Sequence, residues 1–321
     1  MPPSLNYDSP GALRAYLDQN GLGMRKRLGQ NFLINSDARR KLLDALGIGP
    51  GDQVWEVGPG LGAMTAGLLE RGAELIAFEI DRGFIAALEG FFGGQRGFTL
   101  IPGDVLKTWP GVWAARKAKT RRAPFFLGNL PYNIAATLLA DFIERNCFFT
   151  RMVVTVQREV GRRMAAKPGT ADYSSFSVLC ASAYTVSPLM ILKGSLFYPA
   201  PKVDSQGVRF DLRSDIDPAG YPPAFKPLVR GLFSSRRKTI KNNLQNYLHS
   251  RIMTGKGNQK LTLEMLEKAG ISPNERAENL GPAEFSALAA VLPGEFAPRE
   301  LVPRKQRGKG GEEDDGNCGS S

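Results

Sequence analysis

Five consecutive residues, Gly128-Asn129-Leu130-Pro131-Tyr132, place a side-chain amide, a rigid proline and an aromatic ring at the end of an apolar run. These groups suit the capture of an exocyclic amino group on a base. The Asn129 carbonyl oxygen and a backbone carbonyl of the Leu130-Pro131 segment can accept the amine's hydrogens while the base stacks on Tyr132. The preceding Ala123-Pro124-Phe125-Phe126-Leu127 reads as a buried strand. Gly128 onward then emerges at the strand's carboxyl end, where open α/β sheets bind their ligands. Taken alone, Asn-Leu-Pro-Tyr fits a strand-ending turn equally well. Segments elsewhere decide between the two readings.

Trp55-Glu56-Val57-Gly58-Pro59-Gly60-Leu61-Gly62 follows Asp52-Gln53-Val54 and precedes an Ala/Leu-rich segment, Met64 to Arg71. The pattern is strand, glycine turn, helix. It lets backbone approach a nucleoside-containing cofactor closely and lets the helix pack on the strand. The next strand, Glu74-Leu75-Ile76-Ala77-Phe78, ends in Glu79, about twenty positions after Gly58, where an acid can accept both ribose hydroxyls. A third strand, Phe98-Thr99-Leu100-Ile101, leads to Gly103-Asp104, and Asp104 is placed to face a cofactor adenine amine. Either acid by itself reads as a solvated turn residue; three successive strands each ending in a suitable polar group make that reading weaker. A nicotinamide-dependent oxidoreductase shares the glycine turn and the Glu79 logic. Its spacing would differ from the Gly-x-Gly-x-Gly found here, and no acid–base partner for hydride transfer is evident.

The elements that must position these residues alternate. Helices are expected over Ser9 to Asn20, Asp37 to Leu46, Met64 to Arg71, Phe84 to Phe92, Ala135 to Arg145 and Ser174 to Tyr184. Strands are expected at the four positions above and at Met152 to Val156, Leu189 to Leu192 and Gly207 to Asp211. This argues for an α/β fold with a mainly parallel sheet covered by helices, its last two strands antiparallel at one edge. After Asp217-Pro218 the pattern turns helical, with segments Phe225 to Phe233, Lys238 to His249, Leu263 to Lys268 and Ala283 to Val291. Residues 296–321 carry Arg304, Lys305, Arg307 and Lys309, then Glu312-Glu313-Asp314-Asp315 among glycines, the composition of a disordered tail.

The formal charge of +11 arises from 42 basic and 31 acidic residues, and the basic ones cluster. The clusters are Arg25-Lys26-Arg27, the run from Arg116 to Arg122, Arg162-Arg163, and Arg236-Arg237-Lys238 with Lys241. One such run is an ordinary solvated face; several, beside a base-capturing motif, point to RNA recognised by shape and phosphate. The spacing of Arg237 and Lys241 predicts two charges on one helical face. The three cysteines, Cys147, Cys180 and Cys318, form neither a zinc motif nor a paired framework, so no metal is expected. No apolar run approaches the roughly 18 residues of a membrane span. The first residues lack a basic region followed by an apolar core, so no secretory signal is expected and the cytoplasm is the natural compartment.

In combination these motifs are specific. The chain from about Arg25 to about Leu292 resembles the small-subunit ribosomal RNA adenine N6-dimethyltransferases of the KsgA type. The resemblance is carried by Leu28-Gly29-Gln30-Asn31-Phe32-Leu33, Glu56 to Gly62, Phe78-Glu79-Ile80-Asp81, Gly103-Asp104, Gly128 to Ile134, Phe197-Tyr198-Pro199-Ala200-Pro201-Lys202-Val203-Asp204-Ser205 and Arg236 to Leu244. It implies a class I methyltransferase domain over 25–216, after an N-terminal extension of 1–24, and a small all-helical RNA-binding domain over 217–295. It implies S-adenosylmethionine as methyl donor, contacted by Asn31, Leu33, Gly58, Gly60, Glu79, Asp104 and Asn129. As substrate it implies two neighbouring adenosines near the 3′ end of small-subunit rRNA, in a pre-assembled subunit engaged by a monomer. Enzymes acting on large-subunit rRNA share most of these motifs, and a noncatalytic assembly factor on the same fold is a further alternative. Phe197 is expected to supply the second face of an aromatic sandwich around the base. His249, the only histidine, falls in the helical segment, which argues against a histidine base. Positioning of the amine, with reacting atoms about 3–3.5 Å apart, then replaces acid–base chemistry.

Overall fold

A computed structural model describes residues 5–24, 30–118, 120, 122–131, 134–215, 217, 219–250 and 258–293. Its sheet is built from β2 (Gln53–Val57), β3 (Glu74–Glu79), β4 (Phe98–Pro102), β5 (Phe125–Asn129), β6 (Arg151–Gln157), β7 (Tyr184–Leu192) and β9 (Ser205–Leu212). Their order is β4-β3-β2-β5-β6-β9-β7. The first five strands run parallel, and β9 lies antiparallel to both β6 and β7. Val54, Trp55, Glu56 and Val57 are all buried, as expected of a strand covered on both faces, where no alternation of polar and apolar residues survives. The chain winds outward from β2 through β3 to β4 and then returns to place β5 on the other side of β2. That reversal of strand order opens a crevice at the carboxyl ends of β2, β3 and β5.

The helices cover both faces. On one side α2 (Ser36–Leu46) and α3 (Ala63–Glu70) bury Leu42, Leu43, Leu46 and Leu68 against Val54, Leu75, Phe125 and Val153. On the other, α5 (Val105–Lys117), α6 (Ala135–Glu144) and α8 (Ser175–Ala181) pack Trp109, Leu138, Phe142 and Leu179 on Trp55, Phe126 and Val154. Helix α5 was not among the expected elements. Pro110 lies within it and removes one backbone donor, and the buried Trp109, whose Nε1–H donates to Asp141 at 3.1 Å, holds the segment to α6. α4 (Arg82–Phe92) follows Asp81, whose side chain caps it. α7 (Arg158–Ala165) leaves the end of β6 directly.

A second core gathers α9 (Phe225–Leu232), α10 (Ile240–His249), α11 (Asn258–Lys268) and α12 (Pro282–Ala290) around Phe225, Leu228, Leu244, Leu266 and Phe285. It also takes in Tyr173 and Val178, which precede the sheet's last strands in sequence. Within the N-terminal extension the expected helix forms and is packed. α1 (Pro10–Gln19) buries Leu13 and Leu17 against Leu61, Phe84 and Ala87. A two-residue ladder, β1 (Phe32–Leu33) with β8 (Phe197–Tyr198), pairs Phe32 with Tyr198 and Leu33 with Phe197. The charged tail of 296–321 lies outside the described residues.

Candidate active site

The crevice holds a cavity of about 270 Å³. Its floor is the glycine turn. Gly60 (φ +60°) could not carry a Cβ, which would sit 2.9 Å from Phe32 Cε1, and Gly62 (φ +91°) would place one 2.4 Å from Phe92 Cε2. The turn is held from below by the Gly58 amide donating to the Phe78 carbonyl at 3.0 Å, and from the side by the Gly60 amide donating to Glu79 Oε2 at 3.2 Å.

Glu79 is 6% exposed and receives two further backbone donors, the Ile80 and Asp81 amides, on Oε1 at 2.9 Å. Burial pushes its pKa up, and the three amides oppose that shift by stabilising the charged form. Asp104 caps α5, its Oδ1 accepting from the Leu106 amide at 3.0 Å, and lines the cavity beside Val105. Glu56 also lines it. It was not singled out from the sequence, although a carboxylate inside the apolar strand Val54 to Val57 is itself a signal. Glu56 is 3% exposed, accepts from the Thr65 hydroxyl at 2.7 Å, and its pKa is pushed up from 4.5 to about 7, chiefly by burial; the Thr65 hydrogen bond works against the shift and the Glu79 charge adds to it.

Asn129 ends β5 at the cavity's wall. Its Nδ2 donates to the Asn31 carbonyl at 2.9 Å, a tie across 98 residues that fixes the amide plane. Among the described residues no donor reaches its Oδ1. Leu130 anchors the turn, its side chain buried at 2% and its amide donating to the Thr155 carbonyl at 3.1 Å. The Pro131 carbonyl accepts from the Ile134 and Ala135 amides at 3.1 and 3.2 Å. That oxygen is therefore committed to the first turn of α6. Tyr132 lies outside the described residues. Asn31, Leu33, Gly58, Gly60, Glu79, Asp104, Asn129 and Pro131 all line one cavity.

Phe197 does not join them. The expected second stacking face is 4% exposed and shares a core with Leu33, Leu42 and Leu192, outside the cavity walls. The β1–β8 ladder turns it inward, where burying a phenyl ring contributes about 2–3 kcal/mol. Phe32, Phe84, Phe78 and Ile80 supply the apolar walls instead. Phe84 is backed by Leu13 and Leu17 of α1, and Tyr7 donates to the Leu61 carbonyl of the glycine turn at 2.8 Å.

The lining chemistry selects its ligand. Three carboxylates face the cavity and, among the described residues, no lysine or arginine does. Carboxylates without a facing cation favour a positively charged ligand over an anionic one.

The expected RNA-contacting residues lie elsewhere, in the turn joining α9 to α10. The helix starts later than the sequence suggested. The Lys238 amide closes a turn on the Ser235 carbonyl at 3.1 Å, Thr239 caps the helix, and α10 begins at Ile240. Arg237 and Lys241 therefore do not share a helical face. Arg237 and Lys238 are exposed, whereas Arg236 is spent on the Ala171 carbonyl and Glu278 at 3.0 and 3.1 Å. Of the Arg116 to Arg122 cluster, Arg122 pairs with Asp52, just before β2, at 2.6 Å, and Arg116 is buried. Arg25-Lys26-Arg27 lies outside the described residues.

Comparison with known proteins agrees with this geometry. A family model described as ribosomal RNA adenine dimethylase matches residues 21–288. Ribosomal RNA small subunit methyltransferase A of Treponema denticola is 43% identical over 290 residues, covering 89% of this chain and 96% of that protein. The protein of the same name from Borreliella afzelii is 37% identical, covering 90% and 96%. Among solved structures, a dimethyladenosine transferase from Plasmodium falciparum aligns with a TM-score of 0.64 at 24% identity, covering 79% of this chain and 94% of that one. The 23S rRNA methyltransferase ErmE aligns at 0.59 and 21% identity, covering 80% and 98%. These two share the fold. Because the span matched by the family model takes in every element that walls the cavity, the chain belongs to the ribosomal RNA adenine dimethylase family and is a methyltransferase dependent on S-adenosylmethionine.

Proposed function

We propose that this protein dimethylates the N6 amines of two adjacent adenosines near the 3′ end of small-subunit rRNA, acting as a monomer on a pre-assembled small subunit in the cytoplasm. The small-subunit assignment draws on the names of the relatives at 37–43% identity. The cavity fits the methyl donor by its donor set: Glu79 for a ribose diol, Asp104 beside an apolar wall for an adenine, and the buried Glu56 as counter-charge for a cationic amino-acid moiety. When bound, S-adenosylmethionine supplies an electrophilic methyl group.

The observation that carries the reading is the fixed Asn129 amide. With Nδ2 held by the Asn31 carbonyl, Oδ1 is presented as an acceptor, and the Leu130 carbonyl lies one residue away. Two acceptors of this kind take the two hydrogens of an adenine amine and turn its lone pair out of the ring plane. Orientation then does the work for which no histidine base is at hand. Pro131 fixes the backbone immediately after them, and Tyr132 follows it in sequence as the stacking ring. A target adenosine within a helix must be flipped out to enter. Exposed Arg237, Lys238 and the neighbouring Lys241 are assigned to rRNA phosphates, and Arg236 to holding their turn in place. The test is Asn129→Ala in the full chain, with small subunits from cells lacking the methyltransferase and tritiated S-adenosylmethionine. Methyl transfer is expected to vanish while the fold and its thermal unfolding transition are retained; full transfer by the folded variant would reject the mechanism.

A further inference from the structure

α6 carries the capture loop at its first turn, since Ile134 and Ala135 both donate to the Pro131 carbonyl, and its ten residues end at Glu144. The far end of this helix is held by the other domain. Lys226, at the start of α9, donates from Nζ to the Ile143 carbonyl, the Glu144 carbonyl and Asn146 Oδ1, each at 2.8 Å. Arg230, one turn later, pairs with the Glu144 carboxylate. These groups satisfy carbonyls that a helix C-terminus otherwise leaves open, and they place positive charge where the helix dipole favours it. Between the middle of α6 and the facing α8 and α9 lies an open cavity of about 390 Å³, bordered by Thr137, Ala140, Phe176 and Val229. The opposite face of α6 is packed on the sheet through Leu138, Leu139, Phe142 and Ile143, while beside this cavity its attachment to α9 is the polar tie at its end.

The exit of α9 completes the link, because the chain passes from Leu232 through the turn that exposes Arg237 and Lys238. We infer that Lys226 is a positioning residue for methyl transfer: by gripping the C-terminus of α6 it sets the orientation of the helix that bears the Asn129–Pro131 loop, and it joins that loop to the RNA-contacting helical domain. This rests on the base-capture reading of Asn129. A rigid helix converts a small tilt at its end into displacement at the loop, and misplacement of a reacting group by about 1 Å can cost 100-fold in rate.

The experiment uses the full chain carrying Lys226→Met, which keeps the aliphatic stem and removes the three donors. Substrates are small subunits from cells lacking the methyltransferase and tritiated S-adenosylmethionine. The single-turnover rate is expected to fall about tenfold or more, with unchanged KM for subunits and unchanged cofactor Kd. Amide hydrogen exchange is expected to quicken in residues 134–139, at the loop end of α6. A purely local structural role would quicken exchange only near residues 141–147 and leave the rate alone, and a direct RNA contact would raise KM alone; either result overturns the inference. Lys226→Gln, which retains a shorter donor, should give an intermediate rate and covers failure of the methionine variant to fold; a parental rate in it likewise overturns the inference. Asn129→Ala is measured in parallel. If it is inactive while Lys226→Met is as fast as the parent, positioning fails and capture stands; if Asn129→Ala is fully active, capture itself fails.

Discussion

Replacing Glu56 by Gln should stabilise the protein above neutral pH in the absence of cofactor. The folded chain holds the Glu56 proton to about pH 7, whereas the unfolded chain releases it near 4.5. Between those values the folded state binds more protons than the unfolded, so this group's contribution falls as pH rises and is fully unfavourable above pH 7. The interval corresponds to about 3 kcal/mol. Glutamine fills the same space and never ionises, and the Thr65 hydrogen bond to the charged form is already contained in that interval. The gain of about 3 kcal/mol at pH 8 raises the melting temperature by roughly 6–12 °C for a domain of this size. At pH 4 the gain vanishes. Differential scanning calorimetry of the two proteins at pH 4, 6 and 8 reads this out. An equal difference at all three values, or a variant less stable at pH 8, would refute the account of Glu56 as a carboxylate kept against its own ionisation for a cationic ligand.

Three other perturbations probe separate parts. Glu79→Ala removes the acceptor of three amides and of the expected ribose hydroxyls, so S-adenosylmethionine should bind roughly 10- to 150-fold more weakly, or about 1.5–3 kcal/mol; titration calorimetry showing parental affinity removes it from the site. Gly62→Ala forces a Cβ to 2.4 Å from Phe92 at φ +91° and should lower the melting temperature by several degrees. A shift under 1 °C would mean that the turn relaxes freely. The pair Arg237→Glu and Lys241→Glu should weaken small-subunit binding and flatten the slope of log affinity against log salt by about two, leaving cofactor affinity alone. Filter binding at several salt concentrations tests this, and an unchanged slope excludes phosphate contact there.

The site's polar residues were legible because each stands where an apolar run stops. Glu79, Asp104 and Asn129 end or follow strands, and parallel neighbours bring those ends together whatever the details of packing. Glu56 was hidden by the same logic: it sits inside a strand, where pattern reading looks for apolar residues only. Which carbonyl of Leu130-Pro131 is available depends on where α6 starts, a boundary that composition does not define. For Phe197 composition could not choose, because an aromatic ring beside prolines looks the same whether it faces a ligand or a core; its pairing with Leu33 puts it in the core here. The start of α10 was misplaced by two residues, since Lys238 suits a helix but Thr239 caps one.

The second core bears on how these modules can be exchanged. Tyr173 donates to the Leu280 carbonyl at 2.8 Å and its ring meets Phe233, while Val178 sits in the same cluster. A helical domain cut from residue 219 onward would carry an open socket where that ring belongs. A graft onto another methyltransferase must therefore bring the segment from Ala166 to Ala181 with it, and that segment lies between β6 and β7 of the catalytic sheet. The helical domain is thus not a bead on the chain but is keyed into the sheet domain, and recombination between relatives is expected to succeed only at crossovers that keep the ring and its socket from the same parent.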